Sequence, residues 1–89
     1  MKAVITVTGR DSVGIISHVS ALCTAHNANI VEITQSVLSE YFAMIMVVEI
    51  NALDIPFADF ADLLAATGRE RALDIRAMHE DIFNTMHHI

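Results

Sequence analysis

The sequence predicts an α+β sandwich with the element order βαββαβ, closed by a short terminal helix. Three observations predict it. Apolar, β-branched runs end at turn signals such as Gly9 and Asn27-Ala28-Asn29. Between them lie two stretches with apolar residues at helical spacing. The link between the second and third strands is too short for a parallel crossover, so that pair is antiparallel. With right-handed crossovers the result is a four-stranded antiparallel sheet carrying two helices on one face, with strands one and three central. At 89 residues the chain is read as one domain, residues 1–89.

Lys2–Thr8 forms the first strand, dense in Val4, Ile5, Thr6, Val7 and Thr8. A helix follows from about Val13 to His26. Ile15, Val19 and Leu22, with Ile16 and Cys23 beside them, form its apolar stripe, and Ser17, His18 and Thr24 lie opposite. The second strand runs from Ile30 to about Leu38, Ser39-Glu40-Tyr41 reverses the chain, and FAMIMVVEI supplies the third from Phe42 to Ile50. Pro56 suits the first turn of the second helix, with Asp54 upstream as a cap; Phe57, Phe60, Ala61 and Leu64 keep its spacing. Gly68 either ends that helix or lies within it. Leu73, Ile75 and Ala77 alternate with Asp74, Arg76 and Met78 as a fourth strand. EDIFNTMHHI reads as the closing helix, with Ile82, Phe83 and Met86 at helical spacing.

The third strand is apolar on both sides: Phe42, Met44, Met46 and Val48 on one, Ala43, Ile45 and Val47 on the other. The helices cover one face, so a second copy of the chain is expected on the other. The methionines of FAMIM suit core or interface packing, because unbranched thioethers fill irregular gaps.

Charge narrows the partners. Five Lys and Arg against eleven Asp and Glu give a formal charge of −6. Nucleic acid and anionic membrane surfaces both require cationic side chains and are not expected partners. Asp59, Asp62 and Glu70 read as a solvated helix face. The longest apolar run, Ala43–Val48, is far short of the roughly 20 residues of a spanning helix. MKAVITV passes straight into strand alternation without a signal-peptide core, so a cytoplasmic protein is expected.

The stretch GRDSVGI, Gly9 to Ile15, carries the chemistry. A phosphate loop places Lys and a hydroxyl residue after its second glycine, whereas Ile15 and Ile16 stand here. G-x-G-x-x-G is absent too, and no cofactor is expected. What remains is a glycine turn delivering the free amides of a helix start, a general anion site. An amino acid offers those amides a carboxylate and offers Asp11 an ammonium group. Gly14 would let a ligand approach without a Cβ in the way. Asp11 and Ser12 suit helix capping equally well, and both readings stand. Asn27 and Asn29 suit turn geometry.

Two other constellations fare worse. His79, Glu80, Asp81, His87 and His88 suggest a metal. On a helix, however, His79 and His87 would project about 80° apart with about 12 Å of rise, so a solvated helix end is expected and no metal. Cys23 is the only cysteine, which excludes an intrachain disulfide. With His18 or His26 it could suggest a thiol nucleophile, but it sits on the apolar stripe and reads as a small core residue.

VITVTG, RDSVG, the following helix and AHNANI opening the second strand resemble the ACT domain, a ferredoxin-like module. With the closing HEDIFNTMHHI, the chain is similar to stand-alone, single-ACT-domain bacterial proteins. The resemblance implies a homodimer or higher homo-oligomer, a regulatory rather than enzymatic role, and small amino acid ligands held between subunits. Carried over residue by residue, it implies a site at Arg10, Asp11, Ser12, Val13, Gly14, Ile15 and Asn29, and a protein partner that reads the ligand. Many ACT domains have proline where Val13 stands, which would stiffen the turn, and an attached enzyme domain is not expected. A dimerising adaptor that binds no ligand is the alternative.

Overall fold

The structure is a computed structural model that describes residues 1–10 and 14–86. In chain order it contains β1 (Lys2–Gly9), α1 (Ile15–Ala25), β2 (Asn29–Leu38), β3 (Tyr41–Glu49), α2 (Phe57–Glu70), β4 (Asp74–His79) and α3 (Glu80–Met86). The sheet is antiparallel, with strand order β2-β3-β1-β4. The ferredoxin-like arrangement and its central pair are as the sequence predicts.

Cross-strand register decides which side chains share a face. β1 pairs with β3 from Lys2↔Glu49 to Gly9↔Phe42, and with β4 from Ala3↔His79 to Thr8↔Asp74. Ala3, Ile5 and Val7 therefore point with Met44, Met46, Val48 and Ile75 into the core. α1 adds Ile15, Val19 and Cys23, and α2 adds Phe60 and Leu64, each set recurring at four-residue intervals as one helix stripe. Met44 and Met46 are core, as read from FAMIM. Ile16 departs from the expected stripe: it is 37% exposed, being one position round from the buried row.

Gly68 lies inside α2, two residues before its end. A Cβ there would come within 2.7 Å of the Leu73 carbonyl oxygen and 2.9 Å of Ile75 Cγ1, so the glycine lets β4 run close beneath the helix. Asp54 does not cap α2. Pro56 is the N-cap residue without a side-chain bond, while Asp54 turns to α1, its Oδ1 2.8 Å from His26 Nδ1. His79 ends β4 rather than standing on a solvated helix. Its ring stacks on Phe57 at 4.3 Å with Nδ1 buried, because strand alternation sends it to the helix side with Ile75 and Ala77. In α3, Ile82 and Met86 are exposed and no residue is buried.

The face away from α1 and α2 is more mixed than β3 alone predicts. Ile45 is 42% exposed, but its cross-strand neighbours are Thr6 and Thr34; Ala43 lies between Thr8 and Ser36. Asp74 and Arg76 form an ion pair at 3.2 Å on the same side.

Candidate functional site

At the end of β1 the chain turns into α1 through Gly14. This residue is the N-cap with φ 74° and ψ −1°, a left-handed conformation that glycine adopts without strain. The amides of Ile15, Ile16 and Ser17 have no acceptor within the helix, since intrahelical bonding begins with His18 N–H to the Gly14 carbonyl at 3.0 Å. Among the described residues nothing lies within 4 Å of where a Gly14 Cβ would stand. The glycine is thus required by its backbone conformation and not by crowding among the described residues. α1 begins at Ile15, two residues later than the sequence suggests, and ends at Ala25 with His26 as its C-cap.

The expected site residues separate into three groups. Asp11, Ser12 and Val13 lie outside the described residues, as do His87 and His88. Ile15 is fully buried, so only its backbone can face a ligand. Arg10 directs its guanidinium over the Tyr41 ring, 5.6 Å from the centroid, and to Glu40 Oε2 at 3.8 Å. Asn29 is exposed but pairs with Glu49, at the level of Lys2, whereas the loop leaves the sheet at Gly9. Seven strand residues, about 23 Å, separate those levels. A single chain does not bring Asn29 to the Gly14 turn.

Two clefts open at the Asn29 end. One of about 470 Å³ is lined by Met1, Lys2, His79, Glu80, Asp81 and Ile82. A shallower one of about 370 Å³ joins Thr24, Asn27, Ala28, Asn29 and Ala52. Among the described residues no three His, Cys, Asp or Glu side chains are grouped to hold a metal.

The histidines flagged beside Cys23 tie the fold together. His26 closes α1 onto the β3–α2 connection through Asp54, and Asp54 N–H also donates to the His26 carbonyl at 3.2 Å. This pairing could not be read from residues 28 positions apart. His18 lies 2.9 Å from the Arg71 guanidinium, linking α1 to the end of α2. Cys23 itself is fully buried, and that burial pushes its thiol up to about 11. The thiolate is the nucleophile, so a sealed, protonated thiol performs no nucleophilic chemistry at neutral pH. Cys23 in the native protein is expected to resist a disulfide reagent at pH 8 and to react at once in denaturant. Fast stoichiometric labelling of the native protein would show the core to be open. The folded thiol titrates above its unfolded value of 9.0, so its contribution to stability is complete below pH 9 and is lost towards pH 11.

Residues 2–77 match the ACT domain family. The chain belongs to that family. ACT domains are regulatory ligand-binding modules. This ACT domain is 42% identical over 89 residues to a UPF0237 protein of Clostridium perfringens, covering all of both chains. It is 38% identical over 88 residues to a UPF0237 protein of Methanopyrus kandleri, covering 99% of this chain and 98% of that one. Among solved structures it is similar to an ACT domain protein from Streptococcus pneumoniae, with 36% identity, a TM-score of 0.81 and 93% of each chain covered. A formyltetrahydrofolate deformylase from Pseudomonas syringae superposes at a TM-score of 0.77 over 88% of this ACT domain and 27% of the deformylase. At 23% identity that likeness is one of fold. No helix among the described residues is long and apolar enough to cross a membrane.

Proposed function

We propose that this ACT domain is a non-enzymatic, cytoplasmic regulatory module, a homodimer that binds a small amino acid at the β1–α1 turn and passes the bound state to a protein partner. The observation that carries the reading is the left-handed Gly14 turn feeding the first amides of α1, in a chain that matches a ligand-binding family. Those amides suit a carboxylate. Asp11 supplies the counter-charge for an ammonium group, and Arg10 adds an exposed cation at the same end of the sheet. Asn29 reaches such a ligand only from a second subunit, which makes the ligand a bridge between copies. A ligand that contacts two subunits favours the geometry in which it touches both, and that differential affinity is the signal.

A thermal-shift panel of the twenty amino acids, followed by calorimetry, tests this. A ligand at one hundred times its Kd adds about 2.7 kcal/mol of stability, or roughly 10–20 °C in Tm for a domain of this size. Asp11→Ala is expected to abolish the shift while leaving the unliganded Tm within a few degrees. A flat panel at millimolar concentration overturns the ligand and leaves the dimerising adaptor.

A further inference from the structure

Among the described residues, Val4 is the one apolar side chain that is buried outside the main core. It is 2% exposed, yet strand alternation turns it away from Ala3 and Ile5, onto the face that α1 and α2 leave uncovered. Its neighbours across the sheet are Val47 and Met78, both half-buried. Among the described residues, α3 is what packs there: it follows β4 with no residue between and contacts β1 and β4. α3 therefore caps a second, smaller cluster, and Phe83 is its one half-buried apolar residue. The cap is loosely seated. Seven residues make a helix too short to hold its shape alone. None of them is buried, and Ile82 and Met86 stand 52% and 65% exposed. The Thr85 hydroxyl donates to the Asp81 carbonyl at 2.9 Å, a bond internal to the helix. The cleft beside Met1 and Lys2 reaches Glu80, Asp81 and Ile82, which leaves the start of α3 unpacked on that side. The hinge before it is firmer, because the His79 ring is stacked on Phe57.

We propose that α3 is a displaceable cap, and that the patch beneath it, Val4, Val47 and Met78, is a docking surface for an amphipathic helix of a protein partner. The occupant is argued from what already sits there, a short helix with one aromatic side chain half-buried. α3 leaves two of its three large apolar side chains in water, so a partner helix with a second anchor outcompetes it. Ile45, 42% exposed and on the same side of β3 as Val47, supplies the seat for that second anchor. The two arrangements, α3 seated or a partner helix seated, form a two-state element that the partner biases by its differential affinity. Without a partner, the cap keeps the apolar patch out of water. This surface rests on the protein partner of the proposed function and not on the amino acid site.

Thiol labelling of Val4→Cys, in the full chain and without amino acid, tests the cap. Cys23 is equally buried but lies in the main core, so it serves as the internal reference. The thiol of Val4→Cys is expected to react with a disulfide reagent at least about 100-fold faster than Cys23, through opening of α3 alone. Adding Phe83→Ala should speed that reaction about tenfold or more and leave Cys23 unchanged. Equal protection of the two thiols overturns the cap. A helix-stapled peptide of residues 80–86, at about 1 mM, tests the occupant. It should slow labelling of the doubly substituted chain by about twofold or more, whereas the same peptide with Phe83→Ala should not. A peptide without effect overturns helix docking. So does a gain in mass of Phe83→Ala over the wild type in sedimentation, which would assign the patch to a second copy. Amide exchange on the wild-type chain is independent of how the variants fold. Amides 84–86 should exchange without global unfolding; exchange that waits for β1 to unfold rejects the proposal. A flat amino acid panel leaves every one of these results standing, so the two readings fail separately.

Discussion

Phe60→Ala is expected to lower the unfolding free energy by about 3–5 kcal/mol, the usual cost of removing a fully buried phenylalanine. Phe60 is 0% exposed and packs edge-on to His26 with ring centroids 6.1 Å apart, so its loss empties the space where α2, the end of α1 and the sheet converge. Domains of this size lose roughly 4–8 °C of Tm per kcal/mol, so a drop of about 15–30 °C is expected. Small domains have only about 5–15 kcal/mol in hand, and much of the variant would be unfolded at 37 °C. Urea denaturation checks this through the midpoint at constant m-value. A loss below about 1.5 kcal/mol would mean that α2 does not depend on this anchor.

The second large effect is expected at Gly68. In an ordinary helix interior, glycine to alanine gains about 1 kcal/mol. Here the added Cβ meets the Leu73 carbonyl oxygen at 2.7 Å, and a backbone atom cannot rotate aside. The Gly68 carbonyl also fixes the chain reversal, since it accepts from both Arg71 N–H and Leu73 N–H. Overpacking should outweigh propensity: about 1–2 kcal/mol lost for Gly68→Ala, about 3 for Gly68→Val. The rank order glycine, alanine, valine, measured by thermal melts, is the diagnostic. A stabilised Gly68→Ala would show that α2 and β4 are not in contact at this point.

Local pattern made the skeleton legible. Alternation gave β1 and β3 their buried sides, and the spacing of Ile15, Val19 and Cys23 gave α1 its inner face. These signals survive because each element can bury its apolar side in only one way. Interactions between distant segments were not legible. Asp54 looks like a cap for the helix after Pro56, but its carboxylate answers His26. His79 looks solvated beside Glu80 and Asp81, yet strand alternation stacks it on Phe57.

The candidate site divides the same way. Sequence alone determined that a glycine turn enters a helix after the first strand, that no phosphate-loop residues follow it, and that the chain is acidic, with a formal charge of −6. The tertiary structure decided where the other parts stand. Asn29 is brought to the far end of the sheet because β2 runs antiparallel to β3, which itself runs antiparallel to β1. Exposed apolar side chains stand on β2 at Val31, Ile33 and Val37 as well as at Ile45 on the face predicted from β3, where threonine and serine flank Ile45 and Ala43 on the neighbouring strands. Periodicity reports which side of its own element a residue occupies. Which neighbours it meets there depends on register, and register exists only once the strands have paired.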